Sequence, residues 1–129
     1  MTDQGELAGL LASGEHAAFH GRPAAAVGVL EQAVALARLQ GRSAVVAAAG
    51  WLLGVALGAA GRYGGALTVL SPLVEGGRAG GAPAENRLFA ALAAATVASV
   101  HRQLDVTALD KLARTFDVMV EDLYEIVED

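Results

Sequence analysis

An all-α fold assembled from repeated helical units is predicted for this 129-residue chain, and three observations carry the prediction. A decapeptide occurs twice, forty positions apart. Gly21-Arg22-Pro23-Ala24-Ala25-Ala26-Val27-Gly28-Val29-Leu30 returns as Gly61-Arg62-Tyr63-Gly64-Gly65-Ala66-Leu67-Thr68-Val69-Leu70. The Gly-Arg pair, the Ala five positions after the Gly and the Leu nine positions after it stay in register. Self-similarity at such a period marks repeat architectures, in which each unit buries its apolar face against its neighbours. Between these marks, apolar residues recur at three- and four-residue spacing, the period of a helix rather than a strand. Composition adds a packing constraint. Apolar residues make up 54% and aromatics only 5%, with 16 Gly, so the core has to be built from small side chains in close contact. The chain reads as one domain, residues 1–129, with room for about six or seven helices.

Residues 6–20 read as the first helix, with Leu7, Leu10, Leu11, Ala18 and Phe19 as its apolar positions. Gly21-Arg22-Pro23 stops it, and Pro at the opening of the next helix is tolerated because its missing N–H has no partner there. The second helix, about 24–40, sets Val27, Leu30 and Val34 beside Ala26, Ala33 and Ala37 on one broad stripe. Gly41-Arg42-Ser43 ends it, and Ser43 is the expected N-cap of a third helix over 44–60. A fourth helix, 64–76, carries Leu67, Leu70, Leu73 and Val74, but also Pro72, whose ring and missing donor are expected to kink it. The Gly-rich stretch 76–83 reads as a flexible loop. Residues 84–104 form a fifth helix. Thr107 followed by Asp110 imitates a capping box at the head of a sixth, 108–116, and 119–128 is a short acidic seventh.

In this frame the residues resemble the tetratricopeptide repeat (TPR), a helical hairpin with W-x-x-L-G-x-x-Y on its first helix, Gly-x-Tyr at the turn and Ala-x-x-x-Phe on its second. Leu53-Gly54-x-x-Leu57-x-x-x-Gly61-x-Tyr63-x-x-Ala66-x-x-x-Leu70 keeps that spacing, and Trp51 sits one position after the family's Trp. The first unit keeps Gly14, Ala17, Gly21, Ala26, Leu30 and Ala33 in the same frame, with Pro23 at the Tyr position. A third unit keeps Leu92, Ala98, Ala108 and Leu112, while Gln103 replaces the turn Gly. Spacings of 40 and then 42 residues depart from the family's 34, so each unit is longer. The resemblance implies about three antiparallel hairpins (7–40, 44–76 and 84–116) stacked as a short right-handed solenoid, followed by the acidic C-terminal helix 119–128. Gly14 and Gly54, with Ala26 and Ala66, then lie where paired helices touch. Residues 107–123 carry a shorter resemblance to the closing helices of Cro/repressor-type helix-turn-helix domains. The base-reading helix that would precede them has no counterpart in frame.

Charge and motif content exclude several function classes. From Asp117 to the end there are six acids and no base, while the first 116 residues hold eight acids and nine bases. No Lys/Arg cluster could neutralise several phosphates, so no nucleic-acid partner is expected. With no Cys there is neither a disulfide nor a thiolate metal site, which fits a cytoplasmic protein. The N-terminus lacks a basic region followed by an apolar run, so no secretory signal is expected. Ala44 to Gly61 is free of charge, and Gly50, Gly54 and Gly58 form a GxxxGxxxG ladder of the kind used between membrane helices. A buried repeat helix accounts for the same run, and no membrane association is expected. His16 and His20 share a helix face but lack the HExxH order of a zinc protease. No serine sits in a G-x-S-x-G turn, and the Gly-rich stretch 76–81 lacks a following Lys-Ser/Thr. The expectation is a protein that is not an enzyme and uses no cofactor or metal.

TPR proteins bind peptides in a concave groove lined by the first helix of each hairpin. Carried onto this chain, the groove takes Leu11, Glu15, Ala18 and Phe19, then Trp51, Val55, Gly58 and Ala59, then Ala93, Val97, Val100 and His101. Of these, Glu15, Phe19, Trp51, Val55, Val97 and His101 are the expected partner-binding residues. None of them supplies the Lys, Asn and Arg of a carboxylate clamp. The resemblance therefore implies a non-catalytic module binding a protein or peptide partner, or a second copy of itself as a homodimer. A ligand- or peptide-sensing fragment of a transcription regulator, and more remotely a membrane-associated subunit, are the alternatives.

Overall fold

Four helices, α1 (Asp3–Phe19), α2 (Pro23–Leu39), α3 (Ser43–Ala59) and α4 (Tyr63–Arg78), follow one another through three turns of the same design. A fifth helix, α5, occupies residues 86–105. The computed structural model describes residues 3–78, 83, 84, 86–105 and 114, and the described part is all-α. The expected helices over 108–116 and 119–128, and the helix-turn-helix resemblance at 107–123, lie outside the described residues apart from position 114.

The turns set the period of the chain. Gly21, Gly41 and Gly61 adopt φ of 80°, 66° and 80°, the left-handed conformation that a side chain resists. After each Gly, the Arg N–H reaches back to close the preceding helix: Arg22 to the Ala17 carbonyl at 3.0 Å, Arg42 to Ala37 at 3.1 Å and Arg62 to Leu57 at 2.8 Å. The same Arg then opens the next helix, its carbonyl accepting from Ala26, Val46 and Ala66 at 3.0–3.1 Å. The structural period is therefore twenty residues, half the period of the decapeptide. Each unit is one helix followed by Gly-Arg. This economy also corrects the expected cap. Arg42 holds the N-cap of α3 with no side-chain cap bond, and Ser43 is already the first helical residue. One residue serves both helices, which leaves no position for a separate Ser cap.

Repetition continues into the core. Leu7, Leu30 and Leu70 are its largest fully buried side chains, and Ala26, Ala33, Ala37, Ala49, Ala56, Ala66 and Ala93 are sealed completely. Leu30 of α2 packs onto bare backbone at Gly14 of α1, where an added Cβ would stand 2.5 Å from a Leu30 methyl. Leu70 of α4 does the same at Gly54 of α3, where a Cβ would stand 2.5 Å from Leu70 Cγ. Burying each such Leu contributes about 1.5–3 kcal/mol. The expectation that Gly14 and Gly54 lie at helix contacts is met, with Leu30 and Leu70 as the knobs, and Ala26 and Ala66 are fully buried.

Each helix packs on the next in sequence, and α1 also packs on α3, whereas among the described residues α2 and α4 stay apart. Helix α3 is thus approached from several sides and buries Ala47, Ala49, Gly50, Leu52, Leu53, Gly54, Ala56 and Leu57. A helix enclosed in this way is apolar all round, which explains the uncharged run from Ala44 to Gly61. No helix among the described residues is long and apolar enough to cross a membrane. The glycine ladder admits side chains rather than a neighbouring backbone: Leu73 toward Gly50, Leu70 at Gly54 and Val100 toward Gly58.

The expected end of α4 changes. The helix continues past Pro72, which is exposed, and through Gly76 and Gly77 to Arg78. The first part of the expected loop is therefore helical, and residues 79–82 lie outside the described residues. At Gly77 an added Cβ would collide with Ala90 of α5, so close packing of two helices, rather than flexibility, uses that glycine.

Candidate functional site

Helices α1, α3 and α5 together line a depression of about 490 Å³. Leu11, Glu15 and Phe19, one turn apart along α1, form one wall; Ala48, Trp51 and Leu52 of α3 form the floor, and Phe89 of α5 closes the far side. Its anchor is Trp51, the single tryptophan of the chain. The indole N–H donates to Thr96 Oγ1 at 3.1 Å, and the Thr96 hydroxyl in turn donates to the Leu92 carbonyl at 2.8 Å. This relay fixes the ring while leaving it half-buried. Phe89 lies against it with ring centroids 6.2 Å apart and planes tilted by 42°, within the range of favourable aromatic pairs. Phe19, at 55% exposure, is a large apolar side chain left open to water at the rim. Glu15 is the one ionisable residue of this lining.

A second depression, about 420 Å³, continues along α3 and α5 toward the start of α4. Val55, Gly58 and Ala59 face Thr96, Ser99, Val100 and Gln103 across it, and Tyr63 stands at one end. Thr96 belongs to this lining while bonding to Trp51 in the first, so the Trp51–Thr96 pair joins the two. The second depression is the more polar, with three hydroxyls and an amide. On another face, a groove of about 380 Å³ runs where α2 and α4 fail to meet, floored by Val46, Gly50 and Leu53 and edged by Glu31 and Arg38.

The expected residues divide. Glu15, Phe19 and Trp51 are brought together in the first depression, and Val55 lines the second. Val97 instead packs against the core, and His101 is exposed on α5 outside both depressions. Ala93 is sealed in the core and Ala18 packs against it, so neither is a groove residue. Phe89 and Thr96 are neighbours of Trp51 that the sequence frame misses. Of the four positions carried onto α5, Val100 lines the second depression opposite Val55, Gly58 and Ala59, while Ala93, Val97 and His101 do not line either. Thr96 had a readable signal: a lone hydroxyl in the Ala-rich run 90–98, of the kind a buried indole N–H requires.

Outside these depressions, His16 and His20 stack at the end of α1 with ring centroids 4.3 Å apart. Among the described residues no group of three or more His, Cys, Asp or Glu is assembled that could hold a metal ion. Compared with protein families, with curated proteins and with solved structures, the chain matches none.

Proposed function

We propose that this chain is a TPR-like interaction module that binds an apolar segment of a protein partner across α1, α3 and α5, and that it works in the cytoplasm without catalysing a reaction. In this arrangement α1 with α2, and α3 with α4, are antiparallel hairpins of a short right-handed solenoid. Helix α5 begins the third hairpin, and the first helices of the hairpins form the inner surface. The supporting contacts are those between α1 and α3 and between α3 and α5, beside outer helices α2 and α4 that stay apart.

The observation that carries the proposal is the depression around Trp51. Its walls are Leu11, Phe19, Leu52 and Phe89, with a tryptophan held in place but not covered. Aromatic anchors in a preformed apolar pocket are the residues that dominate protein-binding energy. The lining has no Lys or Arg to meet phosphates, which favours a protein over a nucleic acid. Affinity capture followed by mass spectrometry tests it with three proteins: wild type, Phe19→Arg at the rim, and Leu39→Arg, a control at a residue 85% exposed at the end of α2. A partner retained by wild type and Leu39→Arg but lost by Phe19→Arg is the expected result. Equal retention by all three would count against the groove. Light scattering on the same proteins identifies the case in which the partner is a second copy.

A further inference from the structure

We propose that His16 and His20 form a two-nitrogen chelating site for a divalent d-block cation, with Cu(II) bound more tightly than Ni(II) or Zn(II). The two residues are four apart on α1 and its end, so they occupy one face one turn from each other. Their rings are already in contact, stacked with centroids 4.3 Å apart and planes 24° from parallel. Two neighbouring ligands at about 2.0–2.1 Å from one metal need nitrogens about 3 Å apart, so chelation requires the rings to leave the stack by rotation about χ1 and χ2 and to turn one nitrogen each toward a common point. Both side chains are exposed, so the rotation displaces only water and breaks no core contact.

Location favours a cation as well. His16 lies in the last turn of α1 and His20 just beyond Phe19, where the unpaired carbonyls of a helix end carry partial negative charge. Imidazole is a borderline ligand that suits Cu, Ni and Zn, and affinity for a given nitrogen site rises to Cu(II) along the divalent series. No third His, Cys, Asp or Glu is grouped with the pair among the described residues. Water therefore fills the remaining coordination positions, and the ion is held at an open, exchangeable site rather than a closed structural one.

Calorimetric titration with Cu(II) and with Zn(II), in a non-coordinating buffer and on protein free of any His tag, tests the site. The proteins compared are wild type, His16→Ala, His20→Ala, the double variant, and His101→Ala, which removes an exposed His on another helix. The expected result is one ion per chain, Cu(II) tighter than Zn(II), and affinity reduced about tenfold or more by either single substitution because the second ligand no longer acts intramolecularly. His101→Ala should bind as wild type does. Electron paramagnetic resonance of the Cu(II) form should show two equivalent imidazole nitrogens in wild type and one in each single variant. Wild-type affinity no higher than that of the double variant, or single variants with two nitrogens still bound, would overturn the site.

Discussion

Placing one methyl group on Gly54 tests the packing of the repeat more sharply than any truncation. The added Cβ would stand 2.5 Å from Leu70 Cγ and 3.0 Å from Leu70 Cδ1. Leu70 is fully buried, so it cannot swing aside into solvent. Overpacking of this kind costs about 1–3 kcal/mol, and contact with the branch carbon as well as with both methyls puts Gly54→Ala near the upper limit. Ala is the better helix former by about 1 kcal/mol, which leaves a net loss of about 1–2 kcal/mol. Gly28 supplies the control. It is an exposed helical glycine with nothing within 4 Å of the new Cβ, so Gly28→Ala should stabilise by about 0.5–1 kcal/mol through propensity alone. Thermal unfolding followed by circular dichroism should therefore move in opposite directions for the two variants. At about 4 °C per kcal/mol for a chain of this size, their midpoints should differ by roughly 6–12 °C. Leu70→Ala should also cost less in the Gly54→Ala background than alone, because the new methyl refills part of the space. A Gly54→Ala protein that melts above wild type, alongside Gly28→Ala, would refute the knob-on-backbone contact and with it the equivalence of the two units.

Other substitutions address the turns, the relay and the proline. Gly41→Ala should lose about 1–2 kcal/mol in denaturant unfolding, since Ala resists the φ of 66° that closes α2; a neutral result would place the turn in another conformation. Trp51→Phe keeps the ring but strips the bond to Thr96, and should cost about 0.5–1.5 kcal/mol, read from the same transition. Pro72→Ala should stabilise by about 1–3 kcal/mol, because α4 runs unbroken through an exposed proline that denies the Thr68 carbonyl its helical donor. A lowered midpoint for Pro72→Ala would mean that the ring, which lines the α2/α4 groove, contributes more by packing than it removes.

The helices and their order were legible because their punctuation is local. A left-handed Gly followed by Arg is written at 21, 41 and 61, and each element lies between two such marks. The shorter period of twenty is masked. The middle Gly-Arg is followed by Val46 and Gly50 where the outer copies have Ala and Leu, because α3 is buried on more sides than α2 or α4. Ser43 looked like a cap for the same reason: its chemistry fits, but the preceding Arg backbone already does the work. The site was legible on α1 and α3, where Glu15, Phe19 and Trp51 fall on the inner stripe of their helices. On α5 only Val100 was legible. The register of that helix against α3 is fixed by the Trp51–Thr96 bond and by Val100 at Gly58, contacts more than forty residues apart that no local spacing reports.

Trp51, alone in the sequence and set in the floor of the groove, is also its built-in reporter. Its fluorescence, measured while the captured partner segment is titrated into the purified chain, tests the interaction-module proposal most directly. Covering a half-exposed indole should shift its emission to shorter wavelength along a saturable curve, and Phe19→Arg should abolish both the shift and the binding. A partner that binds wild type and Phe19→Arg equally well, and leaves the Trp51 emission where it was, would contradict the groove as the binding site.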